Sequence, residues 1–282
     1  MTVQGPPRTG LRRFGVPPGG WFDSESARIA NAIMGNPIDS PCLELTFAQV
    51  RVSFAVATEF AVTGAKCEVK IGDRTVGSRG RFSAPADALI SISSPTEGVR
   101  AYFSTRFGTL LESGARVMVS DELPIVPTTG RSHALKIDEP DETGPPNLRV
   151  VAGPQAGLFD LSRLVGQSFT VSAKSNRVGI RLDEKPFPHS VELASEPAGY
   201  GAVQITPDGT PIVLGPDGPT IGGYPKIAYV ISADFDRLGQ LRPGQTISLD
   251  EVSLEEARGL AREHQARVEH RAAELSLATR WS

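Results

Sequence analysis

The sequence predicts a mainly β protein built of two β-barrel-like lobes, with a few short helices and a C-terminal helix. Three observations predict it. Short runs of alternating apolar and polar residues recur along the chain, the period of strands with one buried face. The 29 Gly and 23 Pro are scattered rather than gathered in one tract, so they read as many turns between many short strands. A polar, acidic, Pro-rich stretch at 138–147 then divides the strand-rich sequence into two halves. The expected organisation is a first β lobe at 1–137, a linker at 138–147, a second β-barrel lobe at 148–252 and a terminal helix at 253–282. Few helices among many strands favour two β lobes over a doubly wound α/β fold.

The first element is helical. Asp23 or Ser24 can cap it by accepting a hydrogen bond from an otherwise unpaired backbone N–H. Ala27, Ala30, Ile33 and Met34 follow at helical spacing, and Gly35-Asn36-Pro37 ends the run. The period then changes to two. Leu43, Leu45 and Phe47, then Val50, Val52 and Phe54, read as strand. Further strands are expected at 59–63, 67–71, 89–92 and 98–107. In the last of these Val99, Ala101 and Phe103 share one face, and Arg100, Tyr102 and Ser104 the other. In the second half strands are expected at 148–152, 168–172, 179–182, 202–205, 211–214, 227–231 and 246–249, with a short helix at 157–165. Ser253-Leu254-Glu255-Glu256 is a capping box. It opens a terminal helix with a narrow stripe of Leu254, Ala257, Leu260 and Ala261, continuing to about 277 as a solvated helix.

Composition excludes several classes of function. The net charge of −3 offers no basic surplus for nucleic acid or an anionic membrane. The two cysteines, Cys42 and Cys67, have neither the number nor the spacing of a disulfide framework or zinc site. The start has no apolar leader-like run, and no window approaches the roughly 18 apolar residues that cross a bilayer. A cytoplasmic setting is expected.

Most catalytic templates are absent. His133, His189, His264 and His270 show no metal-ligand spacing, and no metal site is expected. Phosphate-loop, dinucleotide and nucleophile-elbow motifs are missing too. Gly-rich polar clusters remain. The strongest runs from Leu214 to Lys226 and contains Asp217 and Gly222-Gly223-Tyr224. Its glycines serve either a β-hairpin turn or a nest of N–H groups around an anion. The run 174–181, with Asn176 and Arg177, is either an anion-binding loop or a strand–turn–strand with solvated arginines. At 12–23, Trp21 and Phe22 suit core or interface. Glu44 lies inside an apolar run, where a carboxylate must pair, lie at an edge or shift its pKa, and a structural salt bridge is the favoured reading.

Together these segments resemble the KipA family, also described as allophanate hydrolase subunit 2, the KipA-type subunit of 5-oxoprolinase or the KipA-type biotin-dependent carboxyltransferase domain. At the front the resemblance rests on Arg8-Thr9-Gly10, Gly15-Val16-Pro17, Asp23, Gly35-Asn36, Leu43-Glu44-Leu45-Thr46 and Thr63-Gly64-Ala65. In the second half it rests on Gly153-Pro154-Gln155, Ser175-Asn176-Arg177-Val178-Gly179, Glu196, Gly201-Ala202-Val203-Gln204-Ile205, Gly222-Gly223-Tyr224-Pro225-Lys226 and Leu241-Arg242-Pro243-Gly244.

The resemblance implies a cyclophilin-like, mainly β architecture and a KipI-like partner subunit in a hetero-oligomer, with a LamB/YcsF-like third subunit in the 5-oxoprolinase type. It implies a subunit of an enzyme acting on a small amide, ureido or lactam substrate: an ATP-dependent 5-oxoprolinase or other C–N hydrolase, or a biotin-dependent carboxyltransferase. There is no Met-Lys biotin-attachment site, so no cofactor is expected to be covalently bound, and ATP or carboxybiotin would come with partner subunits. Such chemistry asks for cations and N–H donors around a carboxylate or oxyanion. Laid on the matching motifs, it makes Lys226, Asp217 and Arg177 the candidate catalytic residues. Gly222, Gly223, Tyr224, Gln204, Asn176, Arg8 and Asp23 are the candidate substrate-binding residues. The chain departs from the family at Gln4-Gly5-Pro6-Pro7-Arg8, in the shortened segment 103–112 and at Pro219-Thr220-Ile221. These lost polar groups leave an alternative, a non-catalytic regulatory or small-molecule-binding paralogue.

Overall fold

The computed structural model describes residues 1–106, 135–136 and 146–280. The fold is mainly β, as the sequence predicts, with a sheet curled into a half-barrel, few helices and a C-terminal helix. Contacts divide the chain into two units that interleave along the sequence. One comprises Met1–Pro6, Asp23–Pro140 and Ala266–Ser282; the other comprises Pro7–Phe22 and Asp141–Gln265.

The first unit contains β1 (Thr2–Gln4), α1 (Ser24–Ile33), β2 (Cys42–Thr46), β3 (Val50–Val52), β4 (Thr58–Lys66), β5 (Val69–Ile71), β6 (Arg74–Gly77), β7 (Gly80–Ala84), β8 (Ile90–Ile92), β9 (Glu97–Ser104) and β10 (Leu135–Lys136). Six strands form one sheet in the order β1-β2-β9-β4-β7-β10, and β3-β8-β5-β6 form a second. The core gathers Leu43, Leu45, Phe60, Val62, Ile90, Ile92 and Phe103, with Phe60 stacked on Phe103 at 5.5 Å.

Of the two caps the sequence allows, Asp23 caps α1: its carboxylate accepts from the Ser26 backbone N–H at 2.9 Å and from the Ser26 hydroxyl at 2.6 Å. β6 and β7 escape a sequence reading because their glycines and arginines look like turn. The expected strand at 98–107 is β9; its last residue, Phe107, lies outside the described residues. Its alternation does not separate core from solvent, because Arg100, Tyr102 and Ser104 are also buried.

That second face carries a polar network. The Tyr102 hydroxyl donates to Glu44 at 2.8 Å and accepts from the Asp23 backbone N–H at 2.9 Å. Arg100 Nε lies 3.5 Å from Glu44. Glu44 is therefore the structural ion pair that its apolar flanks suggest. Burial, then the Glu44 charge, push the Tyr102 phenol well above its ordinary pKa.

The second unit contains β11 (Asn147–Ala152), β12 (Ser168–Thr170), β13 (Gly179–Arg181), β14 (Glu196–Pro197), β15 (Ala202–Ile205), β16 (Pro211–Leu214), β17 (Ile221–Gly222), β18 (Lys226–Val230), α2 (Phe235–Gly239) and β19 (Thr246–Glu251). Seven strands form one sheet, β12-β19-β11-β18-β15-β16-β13, and β14 pairs with β17 in a small ribbon. β11 and β19 run parallel; the other pairs are antiparallel.

Leu148, Val150, Val203, Val213, Ile227 and Leu249 line one face as the core. Ala202, Ile212 and Leu214 pack on the opposite face, with Tyr229 and Ala198 against them. The helix expected at 157–165 is instead two single 3-10 turns, Ala156–Leu158 and Leu161–Arg163. Phe159 and Asp160 between them are extended, and the Asp160 carboxylate accepts from the Ser162 N–H. An aspartate that caps a new turn competes with continuation of the old one, so the helix is cut in two.

The terminal helix α3 (Leu254–Arg280) begins at Ser253, whose hydroxyl accepts from the Glu256 N–H at 3.1 Å. Of its expected stripe, Ala257 is buried while Leu254 is 56% exposed. In the first unit, Val268 and Ala272 are its buried residues, and Arg267 and Arg271 reach Glu25. Most of the stretch expected to be linker, 138–145, lies outside the described residues. Among the described residues no helix is long and apolar enough to cross a membrane.

Candidate functional site

Lys226 opens β18, and its cross-strand partner on β15 is Gln204. A register shift between Val203 and Gln204 intervenes, the mark of a bulge, which re-aims side chains locally. Cross-strand partners share a face. Ile227 and Ala228 both serve the core, whereas Ala202, two residues before Gln204, packs on the opposite face with Tyr229. Lys226 and Gln204 are thereby assigned to this second face.

Both are deeply buried, at 1% and 4% exposure. Lys226 Nζ lies 2.5 Å from Glu196 Oε1 on β14, and the Glu196 side chain is 38% exposed. Gln155 ties the pair together. Its Nε2 donates to Glu196 at 2.8 Å, its Oε1 accepts from the Lys226 backbone N–H at 3.0 Å, and its own N–H donates to the Lys226 carbonyl at 3.1 Å. The Lys226 ammonium is the largest of the influences that lower the Glu196 pKa, with the Gln155 amide assisting.

Gly153 permits this docking. An added Cβ there would fall 2.3 Å from the Lys226 carbonyl oxygen. Gly222, opposite Glu196 in the β14–β17 ribbon, lies over Gln204; a Cβ at 222 would sit 3.4 Å from Gln204 Nε2. Gly223 approaches the Leu193 carbonyl with similar closeness, at 3.0 Å from an added Cβ. The Gly-rich segment is thus partly a strand, β17, and partly a close-packed connection into β18.

Arg177 and Asp217 form a separate pair, joining the segment before the edge strand β13 to the segment after its neighbour β16. Arg177 Nε donates to Asp217 at 2.7 Å and Nη2 to its other oxygen at 3.1 Å, a two-pronged contact. Nη2 also donates to the Gly20 carbonyl at 2.6 Å, and the guanidinium stands 6.0 Å from the Phe22 ring centre. Asn176 is occupied locally: its Oδ1 accepts from the Val178 N–H at 2.8 Å. Tyr224 is 44% exposed beside the ribbon. Arg8 belongs to the second unit, where its backbone N–H donates to Pro18 and its guanidinium lies near Gly19. Asp23 belongs to the first unit, as the α1 cap.

The structure therefore brings together Lys226, Gln204 and Gly222 among the candidates, and pairs Arg177 with Asp217. Sequence reasoning missed Glu196 and Gln155 as members of the site. Both lie in motifs that carry the family resemblance, but neither has a local pattern that reveals its long-range partner.

A family model described as "Carboxyltransferase domain, subdomain A and B" matches residues 14–251. The chain is 34% identical to a 5-oxoprolinase subunit of Escherichia coli, over 91% of this chain and 89% of that protein. It is 27% identical to urea amidolyase of Saccharomyces cerevisiae over 90% of this chain, but spans only 16% of that longer protein. Among solved structures it resembles the Kluyveromyces lactis urea carboxylase, with a TM-score of 0.80 and 25% identity, over 96% of this chain and 28% of that one.

Proposed function

Because the chain belongs to the family of carboxyltransferase domains with subdomains A and B, the KipA-type family its motifs resemble, we propose that it is one subunit of a hetero-oligomeric enzyme acting on a small amide, ureido or lactam substrate, with 5-oxoproline the first candidate. The observation that carries the choice is identity. Over nearly the same share of this chain, 34% of residues match the 5-oxoprolinase subunit and 27% match urea amidolyase. A KipI-like subunit with a LamB/YcsF-like third subunit fits the 5-oxoprolinase reading. The setting proposed is the cytoplasm.

The proposed working surface is the Lys226 cluster. A desolvated ammonium beside a carboxamide can stabilise charge on a carboxylate or developing oxyanion far better than the same groups in water. Lys226 and Gln204 would hold such a group, the glycines of the ribbon would let it approach the backbone, and Tyr224 would shape the rim. Arg177 and Asp217 would hold each other in a fixed orientation near the strand ends. ATP, or carboxybiotin in a carboxyltransferase, would be brought by partner subunits; the donor pair suits the carboxyl group of the latter.

Co-expression with KipI-like and LamB/YcsF-like partners, followed by assay for ATP-dependent loss of 5-oxoproline, tests the reading. Turnover supports it. An assembled complex that binds 5-oxoproline without turnover, and does not carboxylate urea with a biotin carrier, identifies a non-catalytic binding paralogue instead.

A further inference from the structure

The Lys226–Glu196 contact is lopsided for a structural ion pair. The cation is buried, with 2% of its side chain exposed, whereas the anion is partly open to solvent, with 38% exposed. An ammonium has three donors. Glu196 can take one of them, and the others have no hydrogen-bond partner among the described residues. Beside it, the Nε2 of Gln204 is buried and equally unpartnered. Buried donors without acceptors are costly, and a natural protein that keeps two together has a reason to.

The carboxylate that meets Lys226 is carried by a weak element. The β14–β17 ribbon has two residue pairs, Glu196 with Gly222 and Pro197 with Ile221, and Pro197 has no N–H to give. Ile221 on its other strand is 63% exposed. An added Cβ at Gly199, three residues beyond Glu196, would lie 3.8 Å from Arg12 Nη1 and 3.5 Å from the Tyr229 ring, so a second cation stands close to this segment.

We propose that Lys226 Nζ and Gln204 Nε2 form a subsite for a small carboxylate adjoining an amide or lactam carbonyl, and that Glu196 is the internal stand-in which such a ligand displaces. The ligand's carboxylate takes the ammonium, and its neighbouring carbonyl accepts from Gln204. A neutral amide or urea has no charge with which to compete against Glu196. The inference rests on the reading of the chain as a subunit handling small amides or lactams, and narrows that class to anionic members.

The test is calorimetric titration of the full-length chain and three variants with 5-oxoproline, its neutral carboxamide, urea and acetate. The wild-type protein is expected to bind 5-oxoproline at least tenfold more tightly than the carboxamide or urea. Glu196→Gln, which removes the competitor, is expected to bind 5-oxoproline at least fivefold more tightly than wild type. Gln204→Leu should weaken 5-oxoproline but leave acetate unchanged, and Lys226→Met should bind neither. Unchanged or weaker 5-oxoproline binding in Glu196→Gln, equal binding of the carboxamide, or no binding by either wild type or Glu196→Gln would overturn the proposal. Should Lys226→Met fail to fold, Glu196→Gln still decides. Correctly ranked binding with no turnover in the assembled enzyme keeps the subsite and removes the enzymatic reading. Turnover with unaltered affinity in Glu196→Gln does the reverse.

Discussion

The ammonium of Lys226 lies 2.5 Å from the carboxylate of Glu196, and Gln155 holds both partners through three hydrogen bonds. The Glu196 pKa is lowered, chiefly by Lys226. A carboxylate with a depressed folded-state pKa stabilises the fold above its unfolded value of roughly 4.3, and this contribution disappears as pH falls through the folded value. Chemical denaturation of wild type and Glu196→Gln across this range checks the sign. Wild type should be the more stable at pH 7, with the gap closing below about pH 4; a gap that widens on acidification would contradict the pairing.

Gly153→Ala should destabilise the protein by about 1–3 kcal/mol, the usual cost of forcing extra volume into a packed site. Its Cβ would strike the Lys226 carbonyl at 2.3 Å, so the Gly153-Pro154-Gln155 loop must lift from β18. Thermal unfolding measures the loss. Because Gln155 then loses its grip on Lys226 and Glu196, ligand affinity should fall as well, whereas Gly157→Ala, with open space around its Cβ, should change neither.

In the first unit, Tyr102→Phe removes a hydroxyl that both donates to Glu44 and accepts from the Asp23 N–H. Two buried groups lose a partner, at a cost of about 1–3 kcal/mol each if nothing replaces it. Urea unfolding should show this deficit, and an unchanged midpoint would mean that the network relaxes without cost.

Cys67 tests burial independently. Burial pushes its thiol up to about 11, against an opposing pull from Arg79, and Cys42 is fully buried. Only the thiolate reacts quickly. A disulfide reagent at pH 8 should leave Cys42 and Cys67 unlabelled in the native protein and label both in denaturant. Rapid native labelling of Cys67 would contradict its placement in the core.

Much of this fold is legible in the sequence because its signals are local. The cap at Asp23 needs only a side chain three residues from its partner, and Ala202–Ile205 and Pro211–Leu214 stand between clear turns. The runs Arg74–Gly77 and Gly80–Ala84 are hidden because their β-structure comes from pairing with β5 and β4, which no local propensity encodes. At 157–165 the opposite occurs: the apolar spacing suggests one helix, and the side chain of Asp160 starts a second turn in its middle.

The candidate site divides the same way. Lys226 is visible as a charge at the end of a Gly-rich run, yet its burial beside Gln204 depends on a bulge. Glu196 lies 30 residues upstream in a polar stretch, and only the β14–β17 pairing brings it to the lysine. Arg177 and Asp217, 40 residues apart, meet because β13 and β16 pair at the sheet edge. Asp217→Asn should cost stability only modestly, about 0–1 kcal/mol for a pair this near the surface.

The most direct measurement is the 5-oxoproline turnover rate, with ATP, of the complex assembled around wild type and around Lys226→Met, with complex formation checked on the same samples. The account predicts that both complexes form and that Lys226→Met lowers the rate by about 10²–10³-fold, the range for losing a charge-stabilising donor. Equal rates in the two complexes, or an intact wild-type complex that does not turn over 5-oxoproline, would contradict it.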